Sequence, residues 1–128
     1  IKGIGKLTLA GMDDPIEWNR LRKAINAKMS SGDFKINEDK LMGPFFLSKK
    51  VIASDENGEI IDREKFIDAF RSKVIMYLYE DAVKQGKHRF FDGCPDTGKY
   101  SSVCDAFKTM GLAIFGPTFK ESFYDKED

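Results

Sequence analysis

The chain has 128 residues, 41% of them hydrophobic, and its 21 basic and 21 acidic side chains give a formal net charge of zero. This length is typical of one domain, and the composition excludes an intrinsically disordered chain. Zero net charge argues against a protein whose whole surface binds nucleic acid or a membrane. The longest apolar runs, such as residues 74–79 and 112–115, are far shorter than the ~20 residues of a membrane-spanning helix.

The chain contains two cysteines, Cys94 and Cys104, and no charged-then-apolar run near Ile1 of the kind that begins a secretory signal. One disulfide is compatible with this pair, but two free thiols in a reducing compartment fit a domain with an adequate core better. We therefore expect a cytoplasmic protein.

Residues 1–13 alternate weakly between apolar and polar and carry three glycines, which predicts an N-terminal arm or an edge strand. A helix over 14–31 is predicted next, because Asp14 can cap it and Pro15 suits its first position. Glu17 stands three residues after Asp14, the spacing of a capping box. The apolar residues that recur at helical spacing predict its buried face: Trp18, Leu21, Ile25 and Met29.

The next segment combines a helical turn, a break and an apolar triplet. A turn over 38–42 is ended by Gly43-Pro44, and the triplet 45–47 (Phe-Phe-Leu) follows directly. A buried aromatic pair is the simplest interpretation of this triplet. The break also directs Lys40 outward from an anchored position, which suits the presentation of a positive charge to an anion.

The pair Asn57-Gly58 is a strong turn signal between two apolar runs, so we predict a two-stranded hairpin near 51–61. The longest helix is predicted over 62–85, with Asp62 as its N-cap. Its apolar positions form one broad face: Phe66, Ile67, Phe70, Val74, Ile75, Tyr77, Leu78 and Val83.

A short helix is predicted from a cap at Ser101 through Met110, with Gly111 at its end. Residues 116–128 are broken by glycine and proline and then acidic, which predicts a frayed tail. The elements together predict a mainly α fold, a small bundle of three main helices with a short β-hairpin, in a domain over 14–115.

Residues 93–99 match the G-x-x-x-x-G-K spacing of a P-loop, in which backbone N–H groups cradle a phosphate and a lysine adds charge. Two features argue against that function. Tyr100 stands where the motif needs Ser or Thr to hold Mg²⁺, and a helix with a short basic link precedes the motif in place of a buried strand. We therefore interpret this segment as a loop that leads into the next helix.

The only histidine, His88, lies in a basic run that follows the predicted long helix. Positive charge is favourable at a helix C-terminus, so a solvated capping cluster is the main interpretation and a phosphate or nucleic-acid contact is the alternative. One histidine and two cysteines are too few for a metal site, and no catalytic residue is predicted. The basic run contains Lys84, Lys87, His88 and Arg89.

Four sequence blocks carry a family resemblance. They are Trp18-Asn19-x-Leu21-Arg22-x-Ala24-Ile25-Asn26, Asn37-Glu38-Asp39-Lys40-Leu41-Met42-Gly43-Pro44-Phe45-Phe46-Leu47, Phe70-Arg71-Ser72-Lys73-Val74-Ile75-Met76-Tyr77-Leu78-Tyr79-Glu80-Asp81-Ala82 and Tyr100-Ser101-x-Val103-Cys104-x-Ala106-Phe107. In this order and spacing they resemble the C-terminal part of bacterial McrB-like AAA+ NTPases. The resemblance implies a helical lid that follows a P-loop core.

In AAA+ proteins the lid packs over the bound nucleotide and against the neighbouring subunit of a ring. McrB-like members couple GTP or ATP hydrolysis to a partner endonuclease in modification-dependent restriction. The resemblance thus implies ATP or GTP with Mg²⁺ in a parent chain and no cofactor in this chain alone. The implied partners are the P-loop core of the parent chain, neighbouring subunits of a homo-oligomeric ring and a McrC-like endonuclease, without membrane or direct nucleic-acid contact.

The block over 39–47 is similar to the lid motif that lies near the nucleotide, and it implies four nucleotide-contacting residues: Lys40, Gly43, Pro44 and Phe45. Many AAA+ lids present an arginine to the γ-phosphate, whereas the nearest cation in this block is Lys40. No catalytic base, Walker residue or metal ligand is carried over.

Two other functions stay open from the sequence. One is a free-standing helical module that binds another protein, which the interspersed charges of both signs favour. The other is a nucleic-acid adaptor that uses the basic run around His88.

Overall fold

A computed structural model describes residues 3–119 of the chain. Near its N-terminus, strand β1 (Lys6–Leu7) pairs antiparallel with β2 (Ile16–Glu17), and helix α1 (Trp18–Ser30) follows at once. The predicted cap at Asp14 is wrong, because β2 occupies the residues that were expected to form the first turn. The Trp18 N–H donates to the Gly5 carbonyl at 2.9 Å, so pairing with the arm satisfies the start of the helix.

The predicted buried face of α1 is confirmed, since each of its four apolar residues has no exposed surface: Trp18, Leu21, Ile25 and Met29. The helix lies against the aromatic centre of the core. The Trp18 ring makes edge contacts with Phe66 at 6.3 Å and Phe70 at 6.5 Å between centroids, a geometry that aromatic pairs favour.

The Asn57-Gly58 turn forms as predicted, but the hairpin is shorter than 51–61. The Gly58 N–H donates to the Asp55 carbonyl at 2.9 Å, and Ser54 forms an isolated bridge with Ile60. Gly58 has a φ of +85°, and a Cβ there would lie 2.1 Å from the Gly3 carbonyl oxygen. Only glycine fits this close approach between the hairpin and the N-terminal arm.

The predicted long helix forms as a rod over 63–82 whose turns differ from those of a regular α-helix. It begins as α2 (Arg63–Ala69), and Asp62 caps it by accepting the Lys65 N–H at 3.1 Å, as predicted. Wider π-helical turns follow at Phe70–Ile75 and Leu78–Ala82. The expected end at Gly86 is wrong, because Val83 has a φ of −118° and leaves the helical conformation.

The wider turns fit the spacing of one row of buried side chains in the rod, beside which Ile67, Ile75 and Tyr79 are also buried. The side chains of this row recur at every fourth position, a spacing longer than the 3.6 residues of an α-helical turn. A regular α-helix would carry the series around its surface, whereas π turns keep it facing the core. The series is Phe66, Phe70, Val74, Leu78 and Ala82, all buried.

The C-terminal part contains two elements that the sequence reading missed. Helix α3 (Lys87–Phe90) follows the rod, and a 3₁₀ segment (Gly111–Phe115) follows α4 (Tyr100–Met110). The predicted cap at Ser101 is wrong, because α4 already begins at Tyr100, whose hydroxyl donates to the Arg71 carbonyl at 2.6 Å. Gly111, with a φ of +58°, ends α4 as predicted.

The fold is mainly α with a small two-stranded antiparallel sheet, which confirms the predicted class. Both flanking segments contribute to the core: Leu9 of the N-terminal arm is buried, and Phe119 packs on Phe115 with ring centroids 4.8 Å apart. The acidic end of the predicted tail, 120–128, lies outside the described residues. Within residues 3–119, no helix is both long enough and apolar enough to cross a membrane.

Candidate functional site

The segment over 40–44 is fixed by side chains that bind its alternate carbonyl groups. The Tyr77 hydroxyl donates to the Lys40 carbonyl at 2.6 Å, and the Trp18 indole N–H donates to the Pro44 carbonyl at 3.1 Å. The Met42 carbonyl between them accepts two bonds, described next. We call residues 40–45 the pinned segment.

Two polar residues of α1 hold the centre of the pinned segment. Arg22 Nη1 and Asn26 Nδ2 each donate to the Met42 carbonyl at 2.9 Å. The Met42 N–H donates to Asn26 Oδ1 at 2.9 Å. The side-chain amide of Asn26 therefore binds both the carbonyl and the N–H of Met42. The three anchors on α1 stand four residues apart, at 18, 22 and 26, a spacing that places side chains on one helix face.

Arg22 is itself held in position under the pinned segment. Its Nε and Nη2 atoms donate to Asn19 Oδ1 at 3.1 and 2.7 Å. Burial lowers the pKa of the Arg22 guanidinium below its ordinary value, but an arginine stays charged at neutral pH. The cation therefore lies beneath a backbone turn and binds it through directed hydrogen bonds.

The side chain of Lys40 points toward the rod and pairs with Asp81. Lys40 Nζ lies 3.1 Å from Asp81 Oδ1, and the two side chains are 46% and 57% exposed. The hydrogen bond to Asp81 and the charge of that carboxylate raise the pKa of Lys40. Burial, followed by the charge of Asp81, raises the pKa of Tyr77. The ammonium is thus charged at neutral pH and accessible to solvent.

The aromatic pair after the Gly-Pro break divides between core and surface. Phe45 is 50% exposed, with Lys49 Nζ 5.3 Å from its ring centroid, so its predicted burial is wrong. Phe46 is half-buried against Tyr77, with ring centroids 5.2 Å apart. A turn in which the Phe46 N–H donates to the Gly43 carbonyl at 3.1 Å reverses the chain and leaves Phe45 on the outside.

In the loop over 93–99, the N–H groups of Gly93, Cys94 and Gly98 make hydrogen bonds within the protein. Asp96 accepts the Gly98 N–H at 2.9 Å and the Ser102 hydroxyl at 3.1 Å, and these bonds lower the pKa of Asp96. A Cβ on Gly93 would lie 1.7 Å from the Ala113 carbonyl oxygen, so this glycine permits close chain packing. The Asp96 carboxylate thus takes the Gly98 N–H that a phosphate-binding loop would offer to its ligand, which favours the structural interpretation.

The basic run after the rod is partly engaged with aromatic rings. Lys87 Nζ lies 4.4 Å from the Tyr79 ring centroid, and the Arg89 guanidinium lies 5.0 Å from that of Phe34. His88 Nδ1 contacts the Thr97 hydroxyl. These contacts fix part of the run against the protein, and Lys87, His88 and Arg89 lie within α3 and not after a helix end as predicted.

Neither cysteine has the environment of a reactive thiol. Cys94 and Cys104 are both free, and burial, together with Asp92 and Asp96, raises the pKa of Cys94 to about 11. A raised pKa suppresses the nucleophilic thiolate. In the part of the chain that the structure describes, no cluster of three or more His, Cys, Asp or Glu side chains could hold a metal ion.

The structure adds site residues that the sequence reading did not single out as partners: Trp18, Arg22, Asn26, Tyr77 and Asp81. The regular spacing of the three residues on α1 is a signal visible in the sequence. No comparable signal joins the pinned segment to the rod, since Tyr77 and Asp81 lie 37 and 41 residues away from Lys40.

Comparison with known proteins gives one informative similarity. No protein-family model matches the chain, and no solved structure matches it significantly. The chain is 32% identical over 78 residues to YdiS, a component of the type II restriction enzyme BsuMI of Bacillus subtilis strain 168. The match covers 61% of this chain and 18% of YdiS, so the chain spans less than a fifth of that relative. The similarity is therefore to a short part of a restriction-enzyme component.

Proposed function

We propose that the chain is the lid subdomain of a McrB-like AAA+ NTPase that acts in a restriction or defence system. The lid closes over ATP or GTP with Mg²⁺, which a P-loop core of the parent chain binds. Lys40, Gly43, Pro44 and Phe45 lie at the nucleotide. The subdomain hydrolyses nothing alone and contributes charge and shape to a site whose remaining residues come from the core.

The pinned segment is the observation that carries this proposal. Hydrogen bonds to the carbonyls of Lys40, Met42 and Pro44 fix its backbone. The Lys40 side chain, although paired with Asp81, is 46% exposed, and Phe45 is 50% exposed. A lid that binds a phosphate in the same geometry in every cycle needs a preorganised backbone that carries a solvent-accessible cation. A lysine supplies this contact as a point charge on a flexible stem.

The similarity to YdiS supports the restriction role. The aligned part is 18% of YdiS, so in that relative the corresponding segment belongs to a much longer chain. By extension, we propose three partners for this chain. It contacts the P-loop core of its longer parent chain and the neighbouring subunits of a homo-oligomeric ring, and the ring acts with a McrC-like endonuclease. Charges of both signs on its surface suit contacts with protein more than with DNA.

The proposal is tested by NMR titration of the 128-residue chain with Mg²⁺-ATP and Mg²⁺-GTP. We expect millimolar binding, because the core is absent, with backbone amide shifts concentrated over 40–49. Lys40→Ala should remove these shifts, while Lys108→Ala, at an exposed lysine of α4, should keep them. Shifts confined to residues 93–99, or none at 10 mM nucleotide (about the weakest binding such titrations detect), would contradict the proposal.

The exposed apolar side chains favour a protein-binding module as the second candidate. Phe45 is 50% exposed and Ile61 is 69% exposed. If nucleotide leaves the pinned segment unchanged, a partner that protects these two residues from solvent becomes the better explanation. Hydrogen exchange with and without a McrC-like protein would distinguish the two functions.

A further inference from the structure

The carboxylate of Asp81 lies where the electrostatics of the rod disfavour a negative charge. Asp81 belongs to the last turn, Leu78–Ala82, where the partial negative charge of the helix C-terminus disfavours a carboxylate. The carboxylate also has an acidic neighbour, Glu80, in the same turn. The Lys40 ammonium, 3.1 Å from Asp81 Oδ1, compensates this concentration of negative charge.

The backbone of Lys40 is fixed by hydrogen bonds, whereas its side chain makes a solvent-exposed ion pair with Asp81. The Tyr77 hydroxyl holds the Lys40 carbonyl at 2.6 Å, and Asn26 holds the next anchor at Met42 through two bonds. The ammonium sits at the end of four methylene groups and is reached by solvent, as is Asp81. An anion can therefore take the ammonium from Asp81 by rotation about side-chain bonds, without displacing the pinned segment.

We propose that Asp81 competes with the nucleotide phosphate for the ammonium of Lys40. Without nucleotide the carboxylate holds the ammonium against the rod. A nucleotide phosphate, which carries more negative charge than one carboxylate, displaces Asp81 and draws Lys40 outward. This inference rests on the proposed function, since it assigns the regulation of the same site.

The reciprocal consequence is that nucleotide binding loosens the end of the rod. Once Lys40 has left, Asp81 stands uncompensated in the last turn of the rod, two residues before Val83, where the chain leaves the helix. Two sites that share one cation are coupled in both directions. Nucleotide binding at Lys40 therefore lowers the stability of the last turn of the rod, at its junction with α3.

The test compares Asp81→Asn with Glu80→Gln in the 128-residue chain, using inorganic pyrophosphate and ATP as probes. Both variants remove one carboxylate from the same turn, but only the first removes the partner of Lys40. We expect Asp81→Asn to tighten anion binding about two- to fivefold, the range set by exposed ion pairs. Glu80→Gln should give only the smaller gain that follows from the change in net charge.

A second readout does not depend on nucleotide. The pKa of Lys40, followed through its side-chain ¹⁵N resonance, should fall in Asp81→Asn and change less in Glu80→Gln. Adding Lys40→Ala to Asp81→Asn should abolish the gain in anion affinity. Unchanged Trp18 fluorescence verifies that each variant keeps the fold.

The possible failures are distinguishable. If anions shift the pinned segment but Asp81→Asn binds no more tightly than Glu80→Gln, the competitor role is wrong and the proposed nucleotide contact stands. If no variant binds an anion at Lys40, the proposed function fails and the competitor role fails with it.

Discussion

Replacing Asn26 by alanine is the most direct test of how the pinned segment is held. This side chain binds both backbone groups of Met42, with a distance of 2.9 Å for each bond. Asn26→Ala leaves the Met42 carbonyl bound to Arg22, whereas the Met42 N–H loses its partner. In the variant, the Met42 carbonyl thus keeps one hydrogen-bond donor, and the Met42 N–H is left without an acceptor.

The cost follows from these two bonds. Met42 is 2% exposed, so water has little access to its amide. A buried donor left without a partner costs about 1–3 kcal/mol, and the second lost bond adds about 0.5–1.5 kcal/mol. We expect Asn26→Ala to lower the free energy of unfolding by about 3 kcal/mol, the sum of the centres of these ranges.

Guanidinium denaturation measures the change as a lower midpoint at constant slope. Asn37→Ala is the matched control, because Asn37 is exposed and makes no side-chain cap bond; it should stay within about 0.5 kcal/mol of the parent chain. Amide exchange at Met42 should accelerate in Asn26→Ala. A cost below about 0.5 kcal/mol, or unchanged exchange at Met42, would refute the view that Asn26 holds the segment.

Three further outcomes follow from local geometry. Gly93→Ala should destabilise the fold by more than about 3 kcal/mol, because the new Cβ would lie 1.7 Å from the Ala113 carbonyl oxygen. The control Gly43→Ala should be nearly neutral, because nothing lies within 4 Å of a Cβ at that position. Equal shifts of the unfolding midpoint in the two variants would contradict this prediction. Alkylation of Cys94 should follow a pH profile centred near 11, because its pKa is raised from 9.0 to about 11, and a midpoint near 9 would be the opposite result. Trp18 has no exposed surface, so its emission should be blue-shifted and insensitive to iodide, and efficient quenching would show that α1 packs differently.

The parts of the fold predicted from the sequence are those that local patterns determine. The period of the apolar residues fixed the buried face of α1, and the Asn57-Gly58 pair fixed the turn of the hairpin. Asp62 is predictable as a cap because its carboxylate accepts from the Lys65 N–H, which lies only three residues further along the chain. Each of these features depends on neighbours within one or two turns of chain.

The errors occurred where distant segments compete with local signals. Asp14 and Pro15 form a good helix start, but pairing of β2 with β1 buries Ile16 at 5% exposure and delays the helix to Trp18. The rod is a different case. The four-residue repeat of buried side chains in the rod is also the i, i+4 spacing of an amphipathic α-helix, so the sequence predicted a helix but not its wider turns.

The candidate site was predictable only in part. Lys40 could be singled out because a Gly-Pro break follows its charged turn, whereas Phe45 was a site residue only by the family resemblance, and its predicted burial is wrong. The carboxylate that pairs with Lys40 stands 41 residues further along the chain. Only the packing of the pinned segment between α1 and the rod brings Asp81 to it, and no spacing rule predicts such a contact.

Two tyrosines of the rod distinguish a residue that positions the site from one that stabilises the fold. Tyr77 donates to the exposed carbonyl of Lys40 at 2.6 Å, and Tyr79, which is 5% exposed, donates to Thr97 at 2.9 Å. In Tyr77→Phe, water can replace the lost donor, so the unfolding free energy should change by less than about 0.5 kcal/mol. Tyr79→Phe should cost about 1–1.5 kcal/mol, because the Thr97 carbonyl is partly buried. Only Tyr77→Phe should weaken the nucleotide-induced shifts over 40–49, since only Tyr77 holds the Lys40 backbone. If both variants weaken these shifts in proportion to lost stability, Tyr77 has no positioning role.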